Sequence, residues 1–259
     1  LLLLLVIVAL AIVRSEDLFA AVMLSGIFSL LMAVNFFLLD AADVALTEAA
    51  VGAGVATVLF LGALALTGKE EAPHPVGQRG RWLALAVAAA TAALLFYASL
   101  ENPAIGDGGA PVHQHVAPWY LEHTPALIDI PNVVTAVLGS FRGFGTLGEV
   151  FVVFTAGIGV MAILGVRHTL VELSGSELDA RQRSLRHHLI PRVVGRGMVP
   201  LIMLFALYVQ FHGEYSPGGG FQAGAMAAAA IILYSLLEGD DRGRELLPEW
   251  LLRLMVAGG

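Results

Sequence analysis

The stretch LFAAVMLSGIFSLLMAVNFFLL, residues 18–39, contains no charged side chain. A helix needs about 20 apolar residues to cross the hydrocarbon core of a membrane, so this stretch predicts a membrane span. Residues 82–100 and 218–237 are uncharged over similar lengths. The apolar residues form continuous blocks and do not alternate as they do in the strands of a membrane barrel. Helices are therefore expected, because they satisfy every backbone amide within the segment.

The whole composition agrees with a membrane protein. The 259 residues are 58% hydrophobic and 14% charged, whereas soluble domains carry roughly 25% charged residues. The sequence predicts an all-α fold, a polytopic transmembrane bundle of about eight helices. These are Leu1–Val13 (partial, with a signal peptide as the weaker alternative), Leu18–Leu39, Val44–Thr67, Trp82–Leu100, Val150–Val166 (or from as early as Asn132 or Gly145), Val193–Phe211, Gly218–Leu237 and Trp250 onward (partial).

The connecting segments carry charges that alternate along the chain. Every second connection holds the basic residues, all 14 of them except Arg142. The connections between them, 40–43, 101–149 and 212–217, hold mainly Asp, Glu and His. Cytoplasmic loops collect Lys and Arg, so the basic connections are predicted to be cytoplasmic. Residues 172–188 begin with a potential helix start and predict a cytoplasmic linker helix.

Glu48 is the first candidate functional residue, because uncharged residues follow it as far as Thr67. A charge inside a bilayer costs from about 2.5 kcal/mol upward, so Glu48 is a candidate relay carboxylate for protons or cations. The alternative is an interfacial carboxylate near a helix N-terminus, where the helix dipole favours it. Asp43 belongs to the same candidate pathway, although its expected role is the N-cap of the helix.

Arg142 and Glu149, in the segment RGFGTLGE, form a second candidate. Arg142 is the exception to the charge alternation, and Glu149 begins an apolar stretch. An Arg–Glu pair there can hold a discontinuous helix end at membrane depth. The alternative is an interfacial salt bridge worth roughly 0–1 kcal/mol.

The third candidate is a glycine-rich turn, HGEYSPGGGFQAG, between two apolar helices. Irregular backbone is tolerated at membrane depth only where it is buried in protein or lines a watery cavity; a plain surface turn is the alternative. Its candidate residues are His212, Pro217, Gly218, Gly219, Gly220 and Gln222.

Other chemistry finds little support in the sequence. There are no cysteines, which excludes disulfides, iron–sulfur clusters and thiolate zinc sites. His113, His115 and His123 have spacing that can bind zinc, but solvated loop histidines are the favoured interpretation, and no metal site is predicted. No catalytic Ser-His-Asp or Cys-His arrangement, nucleotide fingerprint or basic nucleic-acid stripe is present.

Three segments resemble the small membrane subunits of Mrp-type multisubunit Na+/H+ antiporters. DVALTEAAVGAGVATVLFLGAL resembles a module near the C-terminus of the large A subunit, and also a small subunit of membrane-bound hydrogenases. PNVVTAVLGSFRGFGTLGEVFVVFTAGIGV resembles the module that follows it, and FHGEYSPGGGFQAGAMAA resembles the B subunit. Two positions depart from the family pattern: Gly145 replaces the usual Asp, and Glu214 replaces the second His of the turn.

The resemblance divides the chain into four parts. Residues 1–100 form the large-subunit-like or hydrogenase-like module, and 101–170 form the following module with the RGFGTLGE element. Residues 171–192 are the cytoplasmic linker helix, and 193–259 are the B-subunit-like module, truncated at its end.

The resemblance implies a transporter subunit rather than an enzyme, located in the inner membrane of a bacterium or archaeon as a multi-pass protein. Expected partners are large proton-pumping-type subunits, other small membrane subunits and the lipid bilayer, with no nucleic acid. Na+ or another monovalent cation and H+ are the expected transported ions, with no cofactor in this chain. The implied pathway residues are Glu48, Glu149, Arg142, His212 and Asp43, with the glycine turn shaping the periplasmic-side interface.

Two other functions stay open on the sequence. The chain can belong to the membrane arm of a membrane-bound hydrogenase-like or complex-I-like ion-translocating oxidoreductase, whose redox centres would sit on other subunits. It can also act only as a scaffold that holds larger pumps together, since small side chains such as those of residues 227–230 suit tight helix contacts.

Overall fold

The computed structural model describes residues 1–67, 77–172, 189–248, 250–251 and 254. Of the predicted cytoplasmic linker helix, 171–192, residues 173–188 lie outside the described part of the chain, and so does most of the predicted helix from Trp250 onward. The described residues form helices joined by turns and loops, with no strand, which confirms the all-α fold class.

The described chain forms twelve α-helices and two π-helices. In chain order they are α1 (Leu2–Arg14), α2 (Leu18–Leu38), α3 (Ala42–Glu48), π1 (Ala49–Ala56), α4 (Thr57–Thr67), α5 (Gln78–Ser99), α6 (Pro111–Gln114), α7 (Val116–Leu127), α8 (Val133–Ala136), π2 (Val137–Phe141), α9 (Gly143–Glu172), α10 (Leu189–His212), α11 (Gly220–Glu238) and α12 (Asp240–Leu246).

Six helical segments in the described part of the chain are long and apolar enough to cross a membrane. They are 18–38, 42–64, 78–99, 143–162, 192–212 and 220–238, and each corresponds to one of the predicted spans. The fifth predicted span starts earlier than Val150, at Gly143. The predicted first helix is present as Leu2–Arg14, which is shorter than a span. The chain is a multi-pass membrane protein.

The turn between α2 and α3 shows how local sequence sets the helix ends. Asp40 adopts a left-handed φ of 58°, and the Ala41 amide donates to the Phe36 carbonyl at 3.0 Å, as in a Schellman motif. The prediction of Asp43 as the N-cap is wrong. Ala41 is the N-cap of α3, without a capping side chain, and Asp43 lies in the first turn of that helix. The reason is that the backbone hydrogen bond ending α2 already fixes Ala41, so α3 begins directly after it. A carboxylate in the first turn still interacts favourably with the helix dipole.

Four spans pack together, and we call them the inner helix group: α2, the continuous α3–π1–α4 segment, α10 and α11. Helix α11 is central, because it contacts α10, π1, α4 and α3. The buried core of the group consists mostly of small side chains, namely Ala50, Ala206, Val209, Ala223 and Met226. Association of helices in lipid depends on close van der Waals packing, which small residues permit.

The chain divides into two compact units, Leu1–Glu70 with Ile130–Gly259, and Glu71–Asp129. The first contains the inner helix group. The second contains α5, α6 and α7. Helix α5 has no buried residue, and α7 stacks the Trp119 ring on His123 with centroids 4.7 Å apart.

Candidate functional site

Glu48 lies at the point where α3 passes into π1. It is the seventh residue of the helix, about 9 Å along the axis from Ala42. Its side chain is partly buried, and within the described residues its carboxylate has no hydrogen bond or ion pair. An ionisable group placed this way in a membrane span is a functional candidate by default.

The surroundings of Glu48 are set by the contact of α2 with π1. A Cβ atom added at Gly52 would lie 2.6 Å from Glu48 Oε1 and 2.5 Å from Ser29 Oγ. One α2 turn earlier, a Cβ at Gly26 would lie 2.8 Å from Thr57 Oγ1. Helix α2 can therefore approach the continuous α3–π1–α4 segment closely only because each contact has a glycine on one side. π-helical turns inside α-helices are frequent at functional sites, and here the π-helix begins directly after the carboxylate.

Gln222 links α11 to the residue beside Glu48. Its amide Nε2 donates to Thr47 Oγ1 at 2.7 Å, and that hydroxyl donates to the Asp43 carbonyl at 2.9 Å. Gln222 is 8% exposed, so an unpaired amide there would carry a desolvation penalty. The structure thus brings three predicted site residues, Gln222, Glu48 and Asp43, into one region of the inner helix group.

The glycine turn is a packed structure and not a simple surface loop. Gly219 has φ of 140°, which L side chains rarely adopt. Gly218 is buried, and a Cβ added there would lie 2.9 Å from the Val209 carbonyl oxygen. Both glycines are needed for the chain to return from α10 to α11 in so little space. Pro217 and Gly220 are exposed on the outside of the same turn.

The turn is also tied to the start of α8. Asn132 Nδ2 donates to the Ser216 carbonyl at 3.0 Å, and Thr135 Oγ1 donates to the Gly213 carbonyl at 2.8 Å. The backbone N–H of Asn132 donates to the Glu214 carbonyl at 3.0 Å. These contacts join the connection 212–217 to the connection 101–149, both of which the charge alternation places on the outer side. The hydrogen bond from Gln222 to Thr47 joins the helices that follow the connections 212–217 and 40–43.

His212 lies at the end of α10, exposed, with its ring stacked on Tyr208 at a centroid distance of 5.0 Å. The structure does not bring its side chain together with Glu48. Among the residues that the structure describes, no three His, Asp or Glu side chains form a potential metal site.

Arg142 and Glu149 form the predicted pair. Arg142 Nη2 lies 3.7 Å from Glu149 Oε1, with side chains 63% and 58% exposed. Arg142 is also the residue at which π2 ends and α9 begins, so the predicted helix discontinuity is present. A Cβ at Gly145 would lie 2.9 Å from Arg142 Nε. The glycine that departs from the family pattern therefore lets the arginine lie across α9 toward Glu149.

Sequence reasoning missed a charge cluster, built around a buried carboxylate, at the other end of the inner helix group. Glu238, which is 3% exposed, accepts hydrogen bonds from Arg192 and Arg196 on α10, with Arg196 Nη2 at 2.8 Å and Arg192 Nη2 at 3.2 Å. Both guanidinium groups engage the carboxylate through Nε and Nη2. The one available signal was the spacing of the two arginines, which places them on one helix face. Their acidic partner is remote in the sequence.

Three family models match the chain in succession. They are MbhD, described as the D subunit of MBH, over residues 3–69; MbhE, described as the E subunit of MBH, over 77–172; and a domain related to the MnhB subunit of the Na+/H+ antiporter, over 190–259.

Two known proteins are similar to nearly the whole chain, and a third is similar to half of it. The A/B subunit of a probable K+/H+ antiporter of Rhizobium meliloti is 27% identical over 92% of this chain and 26% of its own length. An uncharacterised protein of Methanocaldococcus jannaschii is 26% identical over 50% of this chain and 52% of that protein. In the solved structure of the Mrp complex from a Dietzia species, one chain matches 93% of this chain with a TM-score of 0.72 and 30% identity. This chain covers 26% of that one.

Proposed function

We propose that this chain is a membrane subunit of a multisubunit cation/proton antiporter, because the MbhD, MbhE and MnhB-related family models match it in succession. The proposed partners are the large proton-pumping-type and other small membrane subunits of such a complex. The proposed transported ions are H+ and a monovalent cation, Na+ or K+. The likeness to the Mrp complex and to the A/B subunit of a probable K+/H+ antiporter supports this assembly.

The observation that carries the proposal is the placement of Glu48. A carboxylate without a partner among the described residues stands inside a span, beside a π-helix and between packed helices. A charge there is energetically costly, so an ionisable residue at this position is a functional candidate by default. Alternating between a protonated and an ionised state, or between a proton and a cation, is what a secondary antiporter requires of such a group.

The other predicted residues take supporting roles in the proposal. Arg142 and Glu149 form a charged pair at the helix break where a candidate span begins, and another subunit would enclose them there and complete the proton path. Gln222 and the glycine turn hold α11 against the helix that carries Glu48. His212 lies at the outer end of the same turn, where ions would enter or leave.

The experiment is proton/cation exchange by the assembled complex in inverted membrane vesicles. Glu48→Gln keeps the shape of the side chain and removes its charge, and we expect exchange to fall at least about tenfold, as for loss of one general acid–base group. Glu16→Gln, which neutralises an exposed carboxylate before α2, is the matched control. Unchanged exchange in Glu48→Gln with normal assembly would remove the relay role. A Glu48→Gln complex that assembles normally but does not exchange ions would argue against a purely structural role for this chain.

A second candidate is the membrane arm of a hydrogenase-like or complex-I-like oxidoreductase. It is favoured by the names of two of the three matched family models, the D and E subunits of MBH. Co-purification decides between the two candidates: a nickel-binding large subunit bound to this chain would support the oxidoreductase, and antiporter subunits alone would support the exchanger.

A further inference from the structure

The space beside Gly52, between α2 and π1, brings together two oxygen atoms from different helices. Ser29 Oγ and Glu48 Oε1 lie 2.5 Å and 2.6 Å from the point that a Cβ of residue 52 would occupy. That point is one carbon–carbon bond from the Gly52 Cα, so the two distances place the hydroxyl and carboxylate oxygens within about 5 Å of each other, and only a glycine lets both approach the π1 backbone so closely. A hydroxyl and a carboxylate therefore face one small common volume.

Neither oxygen is satisfied by the part of the chain that the structure describes. No hydrogen bond or ion pair is formed there by Glu48 or by the Ser29 hydroxyl. Ser235 shows the usual alternative for a helical serine, since its hydroxyl donates to the Ile231 carbonyl one turn back. A serine hydroxyl left free of that bond, beside a free carboxylate, has its lone pairs available to a positively charged group.

We propose that Ser29 and Glu48 are the two protein oxygen ligands of one monovalent cationic species, with Gly52 letting the two oxygens approach each other. The species is either hydronium or a bare metal cation such as Na+ or K+, because hard oxygen ligands suit both. One carboxylate balances one positive charge, whereas divalent ions usually take several carboxylates. This inference rests on the proposed function, since it assigns Glu48 a second ligand in the same exchange reaction.

The first test is Ser29→Ala in the assembled complex, measured in inverted vesicles with a fluorescent pH probe and additions of NaCl or KCl. We expect the apparent KM for the cation to rise, or the maximal rate to fall, by about tenfold, as for loss of one hydrogen bond to an ionised group. Ser25→Ala is the matched control. It makes the same change on the same helix, but Ser25 lines an apolar crevice with Phe60 and Leu64, and exchange should stay normal.

The second test is Gly52→Ala, which puts a methyl group against both oxygens and forces them away from each other. Gly54→Ala is its control within the same π-helix, because a Cβ at Gly54 has its nearest contact at 3.5 Å, an ordinary van der Waals distance. We expect Gly52→Ala to reduce exchange more than Ser29→Ala does, with Gly54→Ala close to normal. The amount of assembled complex, measured by co-purification, separates loss of exchange from loss of assembly.

The kinetic pattern distinguishes the two cationic species. A raised KM for Na+ or K+ at unchanged pH dependence in Ser29→Ala indicates a metal cation. A shifted pH of half-maximal exchange at unchanged KM indicates hydronium. If Ser29→Ala changes neither quantity, or if Ser25→Ala changes them equally, the shared position is overturned. Glu48→Gln then tells whether the proposed function still stands, because it must lower exchange at least about tenfold whatever Ser29 does.

Discussion

Helices α11 and α9 are almost equally apolar, with mean hydropathy of 1.6 and 1.7 over their most apolar windows, yet their surroundings differ. One third of the α11 window, 33%, is buried within the chain, and none of the α9 window is. Both are spans, but only α11 joins the inner helix group. The comparison shows that hydropathy identifies a span without telling whether its neighbours are helices of the same chain, lipid or another subunit.

Glycine positions show the same contrast. In α10, a Cβ at Gly195 would collide with the buried Leu237 side chain of α11. In α9, a Cβ at Gly157 or Gly159 would meet nothing within 4 Å. In the inner helix group these small residues are already used for close packing. In α9 the described residues leave them uncovered, as expected of a helix that another subunit covers in the proposed complex.

Among the variants that test this comparison, Gly195→Leu is expected to have the largest effect, a loss of stability. The added side chain cannot fit against Leu237, so α10 and α11 must separate, and overpacking of this kind costs about 3 kcal/mol. Thermal unfolding of the purified protein in detergent measures the loss. Gly197→Leu is the control, because its position has open space. Equal loss in both variants would show that the α10–α11 contact is not the cause.

Neutralising Glu238 is expected to have the next largest effect. Glu238→Gln leaves the partly exposed Arg192 and Arg196 without their common buried carboxylate at the end of α11, and the charge-assisted hydrogen bonds that this carboxylate accepts are lost. We expect the unfolding temperature to fall by about 5 °C. Glu245→Gln, at an exposed position of α12, should leave it unchanged. An unfolding temperature of Glu238→Gln equal to that of the control would contradict a stabilising cluster.

Gln222→Leu should have a smaller effect on stability. It removes the hydrogen bond to Thr47 while keeping most of the side-chain volume, so a loss of about 1 kcal/mol is expected. Gln210→Leu, an exposed amide on α10, is the control for the same chemical change. Because Thr47 adjoins Glu48, Gln222→Leu should also lower exchange at unchanged assembly, and normal exchange would show that this link does not position the carboxylate.

The smallest effect is expected in α9. Gly157→Ala adds a methyl group where the chain leaves open space and raises helix propensity, so the stability of the chain purified alone should change by no more than about 1 kcal/mol, in the stabilising direction. A clear destabilisation of the isolated chain would mean that part of it covers α9 after all, and the contrast with α11 would fail.

Much of the candidate site could be predicted from local sequence. Glu48 stood out because it is a charge at the start of a long apolar stretch, and the glycine turn stood out because Pro and Gly interrupt two apolar stretches. The helix break at Arg142 followed from the glycines around it. Ser29 gave no such signal, since a serine inside a span is ordinary. Glu238 was missed for a different reason, because it closes an apolar stretch and reads as an interfacial residue until its two arginines are seen.

The sequence by itself determined the class of protein, the spans and the residues that are costly to bury. These depend on the transfer of each segment from water to lipid, which is a local property of composition and length. Only the tertiary structure decided that Gln222 meets Thr47, that Ser29 faces Glu48 across Gly52, and that Arg192 and Arg196 share Glu238. Such contacts depend on which helices lie side by side and in which register, and in lipid that choice comes from the fit of small side chains between distant segments.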